Sequence, residues 1–351
     1  MTMLAETVDL VIGVDTHKHT HTAALVTSTG ALLEERTVTT DPRGYAELLE
    51  LACARGTHRA WAIEGTGSYG AGLTRFLEER GEQVIELDRP WRAKRRDGAK
   101  SDSIDAARAA RDALSRTKLS APRSGAQRAG LAVLLATRRS AVKASADAQR
   151  QLQAFVVAAP EALAAMFRGR SGVQMLRVAT GLRIDPSWDP ETLATATVLS
   201  SLAHRVLELT AEAEAHKRAI SALVRSLRPE LLKVTGVGPI VAATILCAWS
   251  HPGRCRSEAA FAKLAGVSPI EASSGQTTRH RLNRYGDRQL NRALHTVVLT
   301  RLRCHDATRA YVVRRRSEGK SDREIKRCLK RYVSREIYRL LEQGPKGLDA
   351  T

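Results

Sequence analysis

The sequence predicts an α/β domain at the N-terminus, a long helical hairpin or coiled coil in the middle, and a mainly α-helical C-terminal domain containing a helix–hairpin–helix. Three observations carry this reading. β-Branched apolar runs alternate with helix signals up to residue 87, Ala-rich helix-forming sequence takes over from Ser101, and a Gly-Val-Gly-Pro turn separates two apolar segments at residues 236–239. The expected divisions are 1–124, 125–228 and 229–345.

Residues 8–14 and 22–27 are apolar runs separated by a polar stretch, which predicts a hairpin, and 35–39 offers a third strand. Asp41-Pro42 opens a helix to about residue 54, with Pro at the first helical position. A strand at 59–63, a helix over 69–80 ended at Gly81, and a strand at 83–87 complete the α/β pattern. Residues 126–157 lack internal Pro and carry one Gly, and 198–227 form a second long helical stretch. Between them, 158–190 contains Pro160, Gly169, Gly172, Gly181, Pro186 and Pro190 and is read as the break between the two helices. The paired helices suit dimerisation or spacing.

Lys and Arg number 56 against 37 Asp and Glu, a net charge of +19, on a chain with 43% apolar and 26% charged residues. That charge sits on a folded body and favours a polyanionic partner over a small metabolite. Aromatics at 4% supply little material for base stacking, so phosphate contacts dominate. Residues 301–351 hold fifteen Lys and Arg against seven Asp and Glu, including Arg314, Arg315 and Arg316, and read as a phosphate-facing surface. In the Gly236/Gly238 turn, backbone N–H groups at a helix start can hold a phosphate, or the turn can simply join two helices. Five dispersed cysteines predict reduced thiols without structural zinc. The absence of a signal-peptide pattern and of an 18-residue apolar run predicts a cytoplasmic protein with no membrane partner.

Four acids form a distinct pattern. Asp15 and Glu64 each end an apolar strand, and Asp102 and Asp105 stand three apart in the first turn of a helix. Individually they read as turn, cap and dipole residues. Together they can converge on a pair of Mg²⁺ ions, because hard cations take oxygen ligands and two-metal sites stabilise attacking and leaving oxygens in phosphoryl transfer. Gly65-Thr66-Gly67-Ser68-Tyr69-Gly70 with Asp88 also fits a dinucleotide fingerprint. Against that stand Glu64 beside the would-be pyrophosphate and the unexplained positive charge. In residues 264–294, Ser273, Ser274 and Gly275 precede Arg279, His280, Arg281, Arg284, Arg288 and Arg292, so a loop serine lies among cations able to stabilise a phosphorane.

VIGVDTHK with Asp15, AIEGTGSYG with Glu64 and KSDSIDA with Asp102 and Asp105 resemble the DEDD transposase domain of the insertion-sequence 110 family, whose fold is RuvC-like within the RNase H superfamily. VTGVGPIVAATIL, FAKLAGVSPIEASSG and LNRYGDRQLNRAL are similar to the family's C-terminal transposase domain. The resemblance implies an Mg²⁺-dependent transposase, with Mn²⁺ an alternative ion, whose metal ligands are Asp15, Glu64, Asp102 and Asp105. It implies Ser274 as the nucleophile that forms a covalent phosphoserine link, with Ser273 its neighbour. Donor and target DNA, a structured noncoding guide RNA and a homo-oligomer, dimer or tetramer, are the implied partners, and RNA guidance delegates sequence reading to base pairing. Gly236, Gly238, Arg279, Arg281, Arg284, Arg288, Arg314, Arg315 and Arg316 are the candidate nucleic-acid contacts. Asp287 and Asn291 replace the Asn and Arg frequent in relatives and are expected to alter nucleic-acid contacts. Two other readings remain: a RuvC-like junction nuclease using metal-activated water, and an inert nucleic-acid-binding assembly protein.

Overall fold

Alternation along β1 (Leu10–Thr16) sends Leu10, Ile12 and Val14 to one face of a sheet and Val11 and Gly13 to the other. β1 pairs antiparallel with β2 (Thr20–Thr27), and β2 pairs antiparallel with β3 (Leu32–Thr39), so the predicted hairpin becomes a three-stranded meander. After α1 (Pro42–Arg55), β4 (Arg59–Glu64) adds to β1 in parallel; after α2 (Ala71–Glu78), β5 (Gln83–Leu87) adds to β4 in parallel. The sheet order is β3-β2-β1-β4-β5. Asp41 caps α1 by accepting the Gly44 N–H at 2.9 Å. The computed structural model describes residues 3–87, 102–117, 119–272, 280–281, 283 and 285–343, and the chain divides into two compact units, Met1–Ser124 and Gly125–Thr351.

Helices cover both faces of this sheet. α1 and α2 pack Tyr45, Leu48, Leu73 and Leu77 against Leu10, Ile12, Leu25, Trp61 and Ile63. On the opposite face lies α3 (Asp102–Ser115), whose buried residues are Ala106, Ala107, Ala109, Ala110, Ala113 and Leu114. Its alanines make a flat face, and Gly13 lets that face come down onto β1. A Cβ at Gly13 would stand 2.0 Å from the Ala106 carbonyl oxygen and 2.6 Å from the Ala110 nitrogen.

The second unit begins with α4 (Ala126–Ala158) and, after α5 (Glu161–Phe167) and α6 (Gly172–Thr180), returns along α7 (Pro190–Leu227). Buried Leu199, Val206, Ala213 and Ile220 on α7 repeat every seven residues, the spacing that keeps one seam facing a partner helix. Leu131 and Leu135 of α4 share a core with Ile220 and Val224, whereas Leu152 and Val156 share one with Leu199 to Val206, so the two helices run antiparallel. The expected break at 158–190 differs in two ways. It contains two short helices, and Pro190 starts α7, because Asp189 accepts the N–H groups of Glu191 and Thr192 and Pro fits the first helical position.

Pro229 disfavours helical backbone at Arg228, which leaves the α region after Leu227, and a short 3₁₀ turn (Pro229–Lys233) stands where the first arm of the expected helix–hairpin–helix was predicted. α8 (Pro239–Trp249), α9 (Glu258–Leu264), α10 (Arg288–Cys304), α11 (Asp306–Ser317) and α12 (Asp322–Glu342) follow, with Trp249, Phe261, Leu294, Val297 and Ile337 buried among them. A two-residue ladder joins β6 (Ile270–Glu271) to β7 (His280–Arg281). Among the described residues, no helix is long and apolar enough to cross a membrane.

Gly13→Ala drives a methyl group into α3 and is expected to destabilise the sheet–helix contact by about 1–3 kcal/mol, the cost of overpacking a dense core. Hydrogen exchange of the β1 and α3 amides should accelerate. Gly56→Ala is the control, since an added carbon there meets nothing within 4 Å. Equal protection in both variants would contradict the close approach.

Candidate functional site

Asp15 continues the parity of Val11 and Gly13 and therefore lies on the α3 side of the sheet, just before the end of β1. Glu64 ends β4 and continues the parity of Ala60 and Ala62, which also face α3. The register Val14 to Ile63 sets Asp15 and Glu64 side by side at the carboxyl ends of adjacent parallel strands, where open α/β sheets bind ligands. Thr16 Oγ1 donates to the Glu64 carbonyl at 3.0 Å and ties the two strand ends together. Beyond Glu64, the Gly65 carbonyl accepts the N–H groups of Ser68 at 2.8 Å and Gly70 at 3.2 Å, so the glycine-rich turn closes on itself. Asp88, the other half of the dinucleotide pattern, lies outside the described residues.

Asp102 opens α3 one turn before Ala106, the residue that rests on Gly13. The close packing thus delivers Asp102 to Asp15. Asp15, His17 and Asp102 each offer a ligand atom, and these atoms all lie within 4.8 Å of one another. The His17 Nδ1 is 3.9 Å from Asp15 Oδ2 and 3.9 Å from Asp102 Oδ2. Asp15 is mostly covered, with its side chain 21% exposed, and Asp102 is open at 52%. Glu64 and Asp105 are outside this group, and Asp105 accepts a 2.6 Å hydrogen bond from Arg108 one turn along α3. The sequence reading named Asp15 and Asp102 and missed His17. Its signal was present, because His17 keeps the odd-numbered parity of Gly13 and Asp15 just past the strand.

Two carboxylates meeting across 4.8 Å or less carry mutual repulsion that a divalent cation relieves, and their oxygens are the donors such hard ions take. The residues present fit a divalent metal on that ground.

In the second unit, Ser273, Ser274, Arg279 and Arg284 lie outside the described residues, but the base of their loop is defined. Ile270 pairs with Arg281 and Glu271 with His280. Below this ladder the chain crosses itself at two glycines. A Cβ on Gly266, at φ +63°, would stand 2.4 Å from the Tyr285 carbonyl oxygen, and one on Gly286, at φ +103°, would stand 2.6 Å from that of Leu264. Asn291 Nδ2 donates to the carbonyls of Ala265 at 2.7 Å and Gly266 at 3.2 Å, and its Oδ1 accepts from Lys330 Nζ at 3.1 Å. Burial, with Arg327 adding repulsion, pushes the Lys330 ammonium below the usual lysine range. Asp287 caps α10 by accepting the N–H groups of Gln289 and Leu290. The two positions expected to alter nucleic-acid contacts therefore make bonds within the fold, Asp287 to the start of α10 and Asn291 to the Ala265–Gly266 backbone.

The Gly236/Gly238 turn has an internal role as well. Gly236, at φ +89°, lies close to α10, where a Cβ would come 3.0 Å from the Val297 carbonyl oxygen. Arg301 donates to the Thr235 carbonyl at 2.9 Å and to both Glu336 oxygens at 2.8 and 3.0 Å. Gly238 is exposed at the start of α8. Among the candidate cations, Arg281 and Arg288 are exposed, Arg315 pairs with Glu318, and Arg316 pairs with Asp322 at 2.9 Å. Arg314 is 68% exposed, with Glu318 at 3.9 Å.

Comparison with known proteins is consistent along the chain. Residues 12–159 match the family model for the DEDD transposase of IS110, described as "Transposase", and residues 228–313 match "Transposase IS116/IS110/IS902 family". The insertion element IS900 uncharacterized 42 kDa protein of Mycobacterium paratuberculosis is 27% identical over 361 residues, spanning 88% of this chain and 89% of that protein. The insertion element IS110 uncharacterized 43.6 kDa protein of Streptomyces coelicolor is 28% identical over 158 residues, 44% of this chain and 39% of that protein. With both family models matched in order over about two thirds of its length, this chain belongs to the IS110 family of transposases.

Proposed function

We propose that this protein cuts and rejoins DNA as the transposase of an insertion sequence, through a covalent phosphoserine intermediate and under the guidance of a noncoding RNA. The observation that carries the reading is the convergence of Asp15 and Asp102 at the end of β1, in a chain whose N-terminal part matches a DEDD transposase model. Asp15, Glu64, Asp102 and Asp105 are the residues that would hold Mg²⁺, or Mn²⁺ in its place. Bound there, the metal would supply Lewis-acid stabilisation of charge on the phosphoryl oxygens. Ser274 Oγ is the attacking group. One P–O ester bond forms to serine as one to a DNA sugar oxygen breaks, the serine proton leaves, and the departing oxygen gains a proton. Attack by a second strand's hydroxyl reverses these changes and frees the serine, so rejoining needs no external energy source.

The arginines serve the backbone contacts that give affinity without reading sequence. Arg288 and Arg292 are exposed along the start of α10 and have no ion pair among the described residues, so they are available to phosphates. Sequence choice then falls to RNA pairing, and a homo-oligomer would bring several copies of the metal and serine residues to one DNA junction.

A labelled-DNA trapping experiment tests the mechanism, using element-junction DNA, flanking RNA and Mg²⁺ on a denaturing protein gel. Wild type should carry a covalent label, and Ser274→Ala and Asp15→Ala should lose it. Cleavage without any adduct would instead assign the reaction to metal-activated water, and binding without cleavage would assign an assembly role. In salt titrations of nucleic-acid binding, Arg288→Ala and Arg292→Ala should each reduce the slope of log affinity on log salt by about one. Arg316→Ala, whose guanidinium is engaged by Asp322, should change it much less; equal slopes in all three would remove α10 from the interface.

A further inference from the structure

The turn after β1 brings a nitrogen donor to the two carboxylates. His17 is fixed in the short connection between paired strands, where its backbone N–H donates to the Thr20 carbonyl at 3.0 Å. Its Nδ1 is equidistant, at 3.9 Å, from one oxygen of Asp15 and one of Asp102. That separation is too long for a hydrogen bond to either. It does match two ligands around one ion: metal–ligand bonds of about 2.1 Å put pairs of ligand atoms about 3.0–4.2 Å apart, depending on the angle. The ring is also half-exposed, with its side chain at 45%, so coordination would not require a packed side chain to move.

We propose that His17 is a ligand of the divalent ion bound by Asp15 and Asp102, and that its imidazole biases this site toward a first-row transition ion such as Mn²⁺ over Mg²⁺. The proposal rests on the metal reading of these carboxylates given above. Mg²⁺ takes oxygen ligands and gives up its waters reluctantly, so it gains little from an imidazole. A transition ion gains a bond to nitrogen. Coordination through Nδ1 leaves the ring proton on Nε2.

The test uses the full chain with Mn²⁺ alone as the probe. Electron spin-echo modulation of bound Mn²⁺ should show a directly coordinated imidazole ¹⁴N in wild type, and the coupling should vanish in His17→Ala and His17→Gln. By electron paramagnetic resonance titration, His17→Ala should weaken Mn²⁺ binding on the order of tenfold, the scale of losing a group that shapes a metal site. Mg²⁺ binding, measured by competition, should change by less than about twofold, since Mg²⁺ relies on oxygen donors. Two results overturn the assignment while leaving the carboxylate site standing: Mn²⁺ binding that depends on Asp15 yet shows no ¹⁴N coupling, or a coupling that persists in both His17 variants. Absence of any Asp15-dependent Mn²⁺ binding would overturn the metal reading together with this one.

Discussion

The N-terminal unit depends on how closely α3 lies against β1. Helix and strand meet where Gly13 has no side chain and Ala106 and Ala110 have only methyl groups. Dense packing of this kind behaves as a fixed spacer, because adding even one carbon forces a backbone or helix shift. Asp15 is two residues beyond Gly13 on the same strand face, and Asp102 is one helical turn before Ala106. The distance between the two carboxylates is thus set by a contact that contains no charge. Bringing like charges together costs electrostatic energy, and the surrounding apolar packing of α3 on Val11, Ala24, Ala60 and Ala62 offsets it.

Positive charge does two jobs in the second unit. Some of it is structural: Arg301 holds the Thr235 carbonyl against Glu336, Lys330 supports the Asn291 clamp, and Arg331 and Arg335 both reach Glu258. The Arg335 hydrogen bond, aided by Arg331, holds the Glu258 carboxyl below the usual range. The gross count of 56 Lys and Arg therefore overstates the cationic surface open to a phosphate backbone. Arg288 and Arg292 remain on the exposed side, whereas Arg315 and Arg316 are already engaged by acids.

Much of the architecture was legible in the sequence because the apolar spacing is clear. The order of strands and helices through residue 87 follows the expected pattern, as do the two long helices. Pro190 misled because proline breaks helices internally yet starts them well after an Asp cap, and only the hydrogen bonds of Asp189 distinguish the two cases. His17 was missed since its partner Asp102 is 85 positions away in the chain and is brought near by packing that no local pattern records. Asn291 was noted only as a departure expected to alter nucleic-acid contacts, and the commitment of its amide to backbone carbonyls on another segment left no local pattern to read. Asp15 and Asp102 were legible because the first ends an apolar strand and the second opens a helix, positions that the family motifs mark as well, and alternation along β1 explains why Asp15 faces α3.

The seven-residue repeat of α7 has a mechanical consequence. A helix of 33 residues packed along one of 38 makes a strut about 50 Å long, close to the axial length of fifteen base pairs of duplex. Because its seam repeats every seven residues, matched insertions of seven in both helices would lengthen the strut by about 10 Å while keeping the same faces in register. Insertions of other lengths would turn the far end about the strut axis. Span and angular phase are therefore separable quantities in this protein: length can be altered in whole heptads without disturbing the orientation of what the strut carries.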